Sequence, residues 1–222
     1  MAFRGFPAEA ISFYEGLEAD NSKSYWTANK DVYERAVKEP FEALCAEVDE
    51  TFQPLRLFRP YRDVRFSKDK TPYKTAAAAA GESEDGSVYY VQLSSAGLFV
   101  GTGQYHMAAD QLERFRAAVD DDRTGGEIEG IVAGLVKAGY DVAAHDELKT
   151  APRGYGKDHP RIALLRRKGL VAGQSWPVAS WLHTAKAKAR VEQSWRGCEA
   201  LNAWLGAHVG PSEMAPPERD VR

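Results

Sequence analysis

The chain has 222 residues, 44% hydrophobic and 27% charged, with a net charge of −3. That length fits one large domain or one domain with an added helical layer. The aromatic content supports a packed core and argues against whole-chain disorder. The acidic balance excludes pervasive affinity for nucleic-acid backbone, so any anion site must be local.

No run of about 18 apolar residues occurs and the start, MAFRGFPAEA, has no apolar signal-like stretch, so a cytoplasmic protein with no membrane partner is expected. Cys45 and Cys198 both sit in helix-like apolar patterns and read as small buried hydrophobes. A disulfide between them stays open at this level.

Phe6, Ala10, Phe13, Tyr14 and Leu17 keep a helical period, with Pro7 suited to a first helical position. Asp20-Asn21-Ser22 breaks it. A second helix carries Trp26, Tyr33, Ala36 and Val37. Pro40 either kinks that helix or starts a third segment, whose stripe is Phe41, Leu44, Cys45, Val48 and Phe52. From Arg56 the helical period disappears, with turns expected near Pro60 and Asp69–Pro72. The Ala76–Ala80 tract reads as a strand whose small side chains allow close approach. VYYVQLSS and LFVGTGQY, joined at Ser94–Gly97, read as a hairpin.

Helices through Leu112–Val119 and Ile128–Val136 follow, separated by a loop at Asp120–Gly126. A short strand is expected at Tyr140–Ala143. A helix at Pro160–Arg167 is expected to be capped by Asp158. Leu170–Trp176 reads as a strand, and Val178 to about Val209 as a helical hairpin or bent helix. The order gives an α+β fold class: a single domain over 1–209, with a mostly antiparallel sheet and central hairpin flanked by N-terminal and C-terminal helices. Residues 210–222 read as a disordered tail.

Positive charge is concentrated in two loop-rich stretches. Residues 59–75 hold six cations against Asp63 and Asp69, and residues 149–168 hold seven against Asp158. A site for a phosphate or carboxylate would use Arg62, Arg65, Lys68, Lys70 and Lys74 as one wall. Arg153, Tyr155, Lys157, His159 and Lys168 would form the other. Backbone N–H groups near Gly154, Gly156 and the helix start after Asp158 would add donors. Asp63, Asp69 and His159 are the candidate proton carriers if the site is catalytic. A second reading is single-stranded nucleic acid, since Tyr61, Phe66, Tyr73 and Tyr155 interleave with the cations. A third takes the charge as structural or partner-facing, with Arg62–Asp63 and Asp69–Lys70 as internal ion pairs.

Weaker motifs complete the inventory. Ser67-Lys68-Asp69-Lys70 matches Ser-x-x-Lys but lacks the partner elements of acyl enzymes. Gly101-Thr102-Gly103 is half of a dinucleotide fingerprint outside its βα context, and suits a bend or a close approach. His106, His145, His159, His183 and His208 show no metal-ligand spacing, so neither a metal nor a cofactor is expected from local motifs.

The run Arg62-Asp63-Val64-Arg65-Phe66-Ser67-Lys68-Asp69-Lys70-Thr71-Pro72-Tyr73-Lys74-Thr75 resembles the signature of the DUF2461 family. Asn21-Ser22-Lys23…Trp26…Asn29…Tyr33, Tyr89–Leu93, Gly101-Thr102-Gly103…Tyr105 and Pro152-Arg153-Gly154-Tyr155…Asp158-His159-Pro160 extend the resemblance over about residues 3–208. It implies a bacterial-type cytoplasmic protein folded as one domain over most of its length. It brings no reaction, substrate, cofactor or catalytic residue set.

Overall fold

The computed structural model describes residues 2–214, apart from Gln53, Phe66 and Ser67 and the side chains of Asp49, Glu50 and Thr51. The Ser67 motif, the stacking role of Phe66 and the tail from 215 to 222 therefore lie outside the described residues.

The helical start consists of α1 (Ala8–Ala19), α2 (Lys23–Val32), a π-helical turn (Tyr33–Lys38) and α3 (Glu39–Phe52). Then come β1 (Arg56–Leu57), β2 (Ala76–Glu82), β3 (Val88–Ser94) and β4 (Gly97–Gln104). They lead to α4 (Ala109–Asp120), α5 (Asp122–Lys137), β5 (Asp141–Ala143) and the short α6 (Ile162–Leu165). The chain ends with β6 (Leu170–Trp176), a 3₁₀ turn (Ser180–His183), α7 (Lys186–Gly197) and α8 (Glu199–His208). The sheet is antiparallel with order β1-β2-β3-β4-β6-β5. This is the α+β architecture that the order of helical and alternating patterns implies.

Contacts divide this α+β domain into two units. The first comprises residues 1–82, 89–101 and 173–196, and the second the remainder. The boundary falls inside β4 and inside β6. In the first unit, α1, α2, α3 and α7 bury Phe6, Tyr14, Leu17, Phe41, Leu44 and Val191 against alternating positions of β2–β4. Trp195 is its largest buried side chain. The Trp195 ring packs 5.0 Å from Phe52 and 5.5 Å from Tyr89, and its Nε1–H donates to the Gly101 carbonyl at 3.1 Å. That bond lets a large indole be buried without an orphaned donor.

In the second unit, α4, α5 and α8 bury Phe115, Ile128, Leu201 and Leu205 with Leu165 and Leu170. Trp204 Nε1–H donates to Thr124 O at 3.1 Å, and Asn202 Nδ2–H to Thr102 Oγ1 at 2.9 Å. The start of the expected tail is fastened here. Gln111 donates to Gly210 O, Arg114 to Val209 O and Pro211 O, and the Asp110 carboxylate accepts from Ser212 and Glu213.

At Pro40 the second alternative holds, since α3 begins at Glu39 with Pro40 in its first turn. The π turn before it widens the ladder, and the helix runs through to Phe52, as π turns allow within otherwise regular helices. Several local expectations change. The loop expected at Asp120–Gly126 shrinks to Asp121, whose carboxylate accepts from Arg123 N and Thr124 N and so starts α5. Asp158 does not cap the short helix, whose N-cap is Arg161. At Gly103 (φ 127°) the close approach comes from the neighbouring strand, since the Leu170 carbonyl occupies the place of a Cβ.

Cys45 and Cys198 are both buried thiols. Cys198 stands between α7 and α8, 1% exposed, and burial pushes its thiol up to about 12. Since the thiolate is the reactive form, iodoacetamide at pH 8 is expected to alkylate Cys198 only after denaturant is added. Rapid modification of the folded protein, located by peptide mass, would contradict this packing.

Candidate functional site

The stretch after β1 continues as an arm. Arg56 and Leu57 pair with Ala80 and Ala79. Pairing then runs beyond the strands: Phe58 N donates to Ala78 O (2.9 Å), Lys74 N to Pro60 O (2.8 Å) and Arg62 N to Pro72 O (2.9 Å), with Tyr61 opposite Tyr73. Both prolines serve only as acceptors, which their missing N–H permits.

The outward edge of Tyr73 is closed by one side chain. Tyr73 N donates to Asn21 Oδ1 and Asn21 Nδ2 donates to Tyr73 O, both at 3.1 Å. The Asn21 amide thus acts as one residue of a neighbouring strand. Next to it, Ser22 Oγ accepts from Tyr25 N and caps α2. One turn into α2, Trp26 stacks on the Tyr73 ring at 4.4 Å and 7°. Trp26 also meets Phe13, Tyr33 and Tyr61.

Between helix and arm lies a groove of about 370 Å³. Trp26 and Lys30 come from α2, Tyr33, Glu34 and Lys38 from the π turn, Glu42 from α3, and residues 57–61 from the arm. Half of the π turn faces this groove, and such turns gather at functional sites. Burial, then Glu34, Glu42 and Tyr61, push the Tyr33 hydroxyl up to about 12, so it stays a hydrogen-bond donor at neutral pH. Lys38 pairs with Glu34 at 2.7 Å. Phe58 and Tyr61 are 40% and 50% exposed, an apolar face left in water.

Two cations of the arm stand near Phe58. Arg59 lines the groove, and Lys74 Nζ lies 5.2 Å from the ring centre of Phe58. Among the described residues neither has a carboxylate within ion-pair distance. Burial, and then Arg59, push the Lys74 ammonium below its usual value.

The tip of the arm is braced internally. Arg62 pairs with Asp69 and donates to Thr71 Oγ1 at 2.9 Å. Asp69 accepts from Thr71 N (2.9 Å) and Thr71 Oγ1 (2.7 Å). Arg65 grips Asp63 at 2.6 Å, and Lys70 Nζ donates to Val64 O at 2.8 Å. The partners therefore differ from the sequence neighbours: Arg62 takes Asp69, not Asp63, and Asp63 takes Arg65. Hydrogen bonds from Arg65 hold the Asp63 carboxyl down at about 2, and those from Thr71 chiefly lower Asp69. The two carboxyl groups among the candidate proton carriers are thus bound carboxylates at neutral pH. Lys68 is exposed beside them.

The second basic segment belongs to the second unit. Arg153 and Lys157 are exposed, and the Tyr155 ring meets His159 edge-on at 6.3 Å. His159 Nδ1 accepts from Arg161 N at 3.0 Å, so Nε2 carries the hydrogen and donates to Asp120 Oδ1 at 3.0 Å. Both ring nitrogens are occupied in this arrangement. Arg161, 9% exposed, donates to Val119 O (2.6 Å), Asp120 O (2.9 Å) and Asp122 Oδ1 (3.0 Å), closing the end of α4 and the start of α5. Lys168 pairs with Asp146 at 2.5 Å. Of the sequence-derived residues, Lys74 thus lies over the Phe58 ring and outside the groove lining, Arg62, Arg65, Lys68 and Lys70 occupy the arm tip, and Tyr155 and His159 meet in the second unit.

Sequence reasoning passed over Lys30, Tyr33, Glu34 and Lys38 as groove residues. The signal was the Asn21…Trp26…Tyr33 spacing, which carried the resemblance but had no role attached. Asn21→Ala leaves the Tyr73 N–H and carbonyl without partners and is expected to cost about 1–3 kcal/mol. Amide exchange at Tyr73 should accelerate with it. Unchanged exchange there would show that Asn21 does not hold the arm.

Comparison with known proteins agrees with the arm signature. No curated protein matches the chain. The model of a conserved hypothetical protein family, DUF2461, matches residues 9–204, which include the whole arm, the π turn and the groove. The chain belongs to the DUF2461 family.

Proposed function

We propose that this protein recognises a small phosphate- or carboxylate-bearing ligand in the groove of the first unit. The observation that carries the reading is the pair Arg59 and Lys74, two adjacent cations without a carboxylate partner among the described residues, beside the exposed rings of Phe58 and Tyr61. An anion between them would relieve like-charge repulsion and supply the missing acceptors. The groove volume lies within the range of small-ligand sites, at the low end of about 300–1,000 Å³. Lys30 adds a third cation and Tyr33 a hydroxyl donor. The arm tip, with Arg62, Arg65, Lys68 and Lys70 against Asp63 and Asp69, keeps a positive excess that draws anions toward the groove.

A second reading, binding of single-stranded nucleic acid, draws on the exposure of Phe58 and Tyr61 next to these cations, which suits base stacking. The two readings separate by salt. A small monoanionic group shows shallow salt dependence, whereas a strand contacting several phosphates loses affinity steeply.

The test is a thermal-shift screen of nucleotides, sugar phosphates, dicarboxylates and short single strands. It compares the parent with Arg59→Ala/Lys74→Ala. A ligand at about 100 times its Kd adds about 2.7 kcal/mol and raises Tm by a few degrees. The proposal expects such a hit in the parent and its loss in the double variant. A flat screen, or a hit retained by a folded double variant, would refute this site.

A further inference from the structure

The second unit brings two histidines together although they lie 39 positions apart in the chain. His106 Nδ1 lies 3.4 Å from His145 Nε2, with the rings 5.1 Å apart and inclined by 66°. His145 Nδ1 lies 2.8 Å from the Tyr105 carbonyl. A carbonyl only accepts, so Nδ1 carries the hydrogen and Nε2 presents a bare lone pair toward His106. A backbone carbonyl holding the far nitrogen is also how metal-binding imidazoles are oriented.

We propose that His106 and His145 bind a divalent transition-metal ion through His106 Nδ1 and His145 Nε2. Two imidazoles at about 2.0–2.1 Å from one tetrahedral ion stand about 3.3–3.4 Å apart, nitrogen to nitrogen. The observed separation of 3.4 Å matches that requirement, and small rotations of the two exposed rings turn both lone pairs from each other toward a shared ion. The backbone supports it too. Met107 N donates to Lys168 O (3.1 Å) and Lys168 N to Asp146 O (3.0 Å). Each histidine is therefore one residue from a bond to the same residue, Lys168, which fixes their separation.

Without metal, the facing nitrogens share one hydrogen, donated by His106 Nδ1. On binding, His106 gives up that position and carries its hydrogen on Nε2, so no net charge change is required of either ring. Both side chains are exposed, leaving room for water to complete the coordination. Among the described residues no cluster of three His, Cys, Asp or Glu forms, so the protein contributes two ligands here. The Asp146 carboxylate beside them is held by Lys168. Imidazole pairs favour zinc, nickel and copper over calcium and magnesium.

The test titrates untagged full-length protein with ZnCl₂ and NiCl₂ by calorimetry, and with CuCl₂ by electron paramagnetic resonance. The comparison set is His106→Ala, His145→Ala and the control His208→Ala. Expected are one ion per chain, nitrogen hyperfine structure from two imidazoles with copper, and at least a tenfold affinity loss in each of the first two variants but not in the control. Circular dichroism checks that the variants stay folded, which their exposed positions favour. Failure to bind any of the three ions, or equal binding by parent and both variants, would overturn the proposal.

Discussion

The first unit depends on how one exposed edge of backbone is closed. In the arm after β1, Tyr73 turns its N–H and carbonyl away from Tyr61. Left in water or half-buried, these groups would invite strand pairing or loosen the arm. Asn21 satisfies both with one amide, and Trp26, one turn further on, lays its ring flat on Tyr73. The amide supplies direction and the stack supplies buried area. Together they attach a two-stranded arm, marginal on its own, to the helical layer. The groove exists because this attachment holds residues 57–61 opposite the π turn.

Charge follows a different logic from the one that counting suggests. The two basic stretches look alike in sequence, yet the fold uses them differently. At the arm tip, Arg62 and Arg65 spend their forks on Asp69 and Asp63, which keeps an exposed turn in one shape. In the second unit, Arg161 is a buried connector of two helices, and His159 bridges Asp120 and the Arg161 amide. What remains for a ligand is what the folding of the loops has not consumed. On the proposed anion reading these are Arg59 and Lys74 of the arm, with Lys30 in the groove.

The sheet was legible because period-two patterning and turn residues are local. β6 matches the expected Leu170–Trp176, and the β3–β4 hairpin turns where Ser94–Gly97 signalled it. The Ala76–Ala80 tract is a strand despite alanine's helical preference, since its small side chains pack under the helices. Features that depend on distant partners were not legible. The π turn before Pro40 has no periodic signature. Asp158 is of the right type for a cap but sits three residues before the N-cap Arg161, too early for α6. Tyr33, Glu34 and Lys38 read as an ordinary helix face until the arm is placed against them. The pairing of His106 with His145 depends on β4 and β5, which the fold brings to either side of β6.

The most direct test of the anion-groove account is an NMR titration of ¹⁵N-labelled protein with pyrophosphate and, in parallel, adenosine monophosphate. The account predicts saturable amide shifts confined to residues 26–42 and 57–61, together with Lys74, and a rise in the titration midpoint of the Lys74 ammonium as the anion approaches it. Shifts centred on residues 149–168, or none at millimolar ligand, would contradict it.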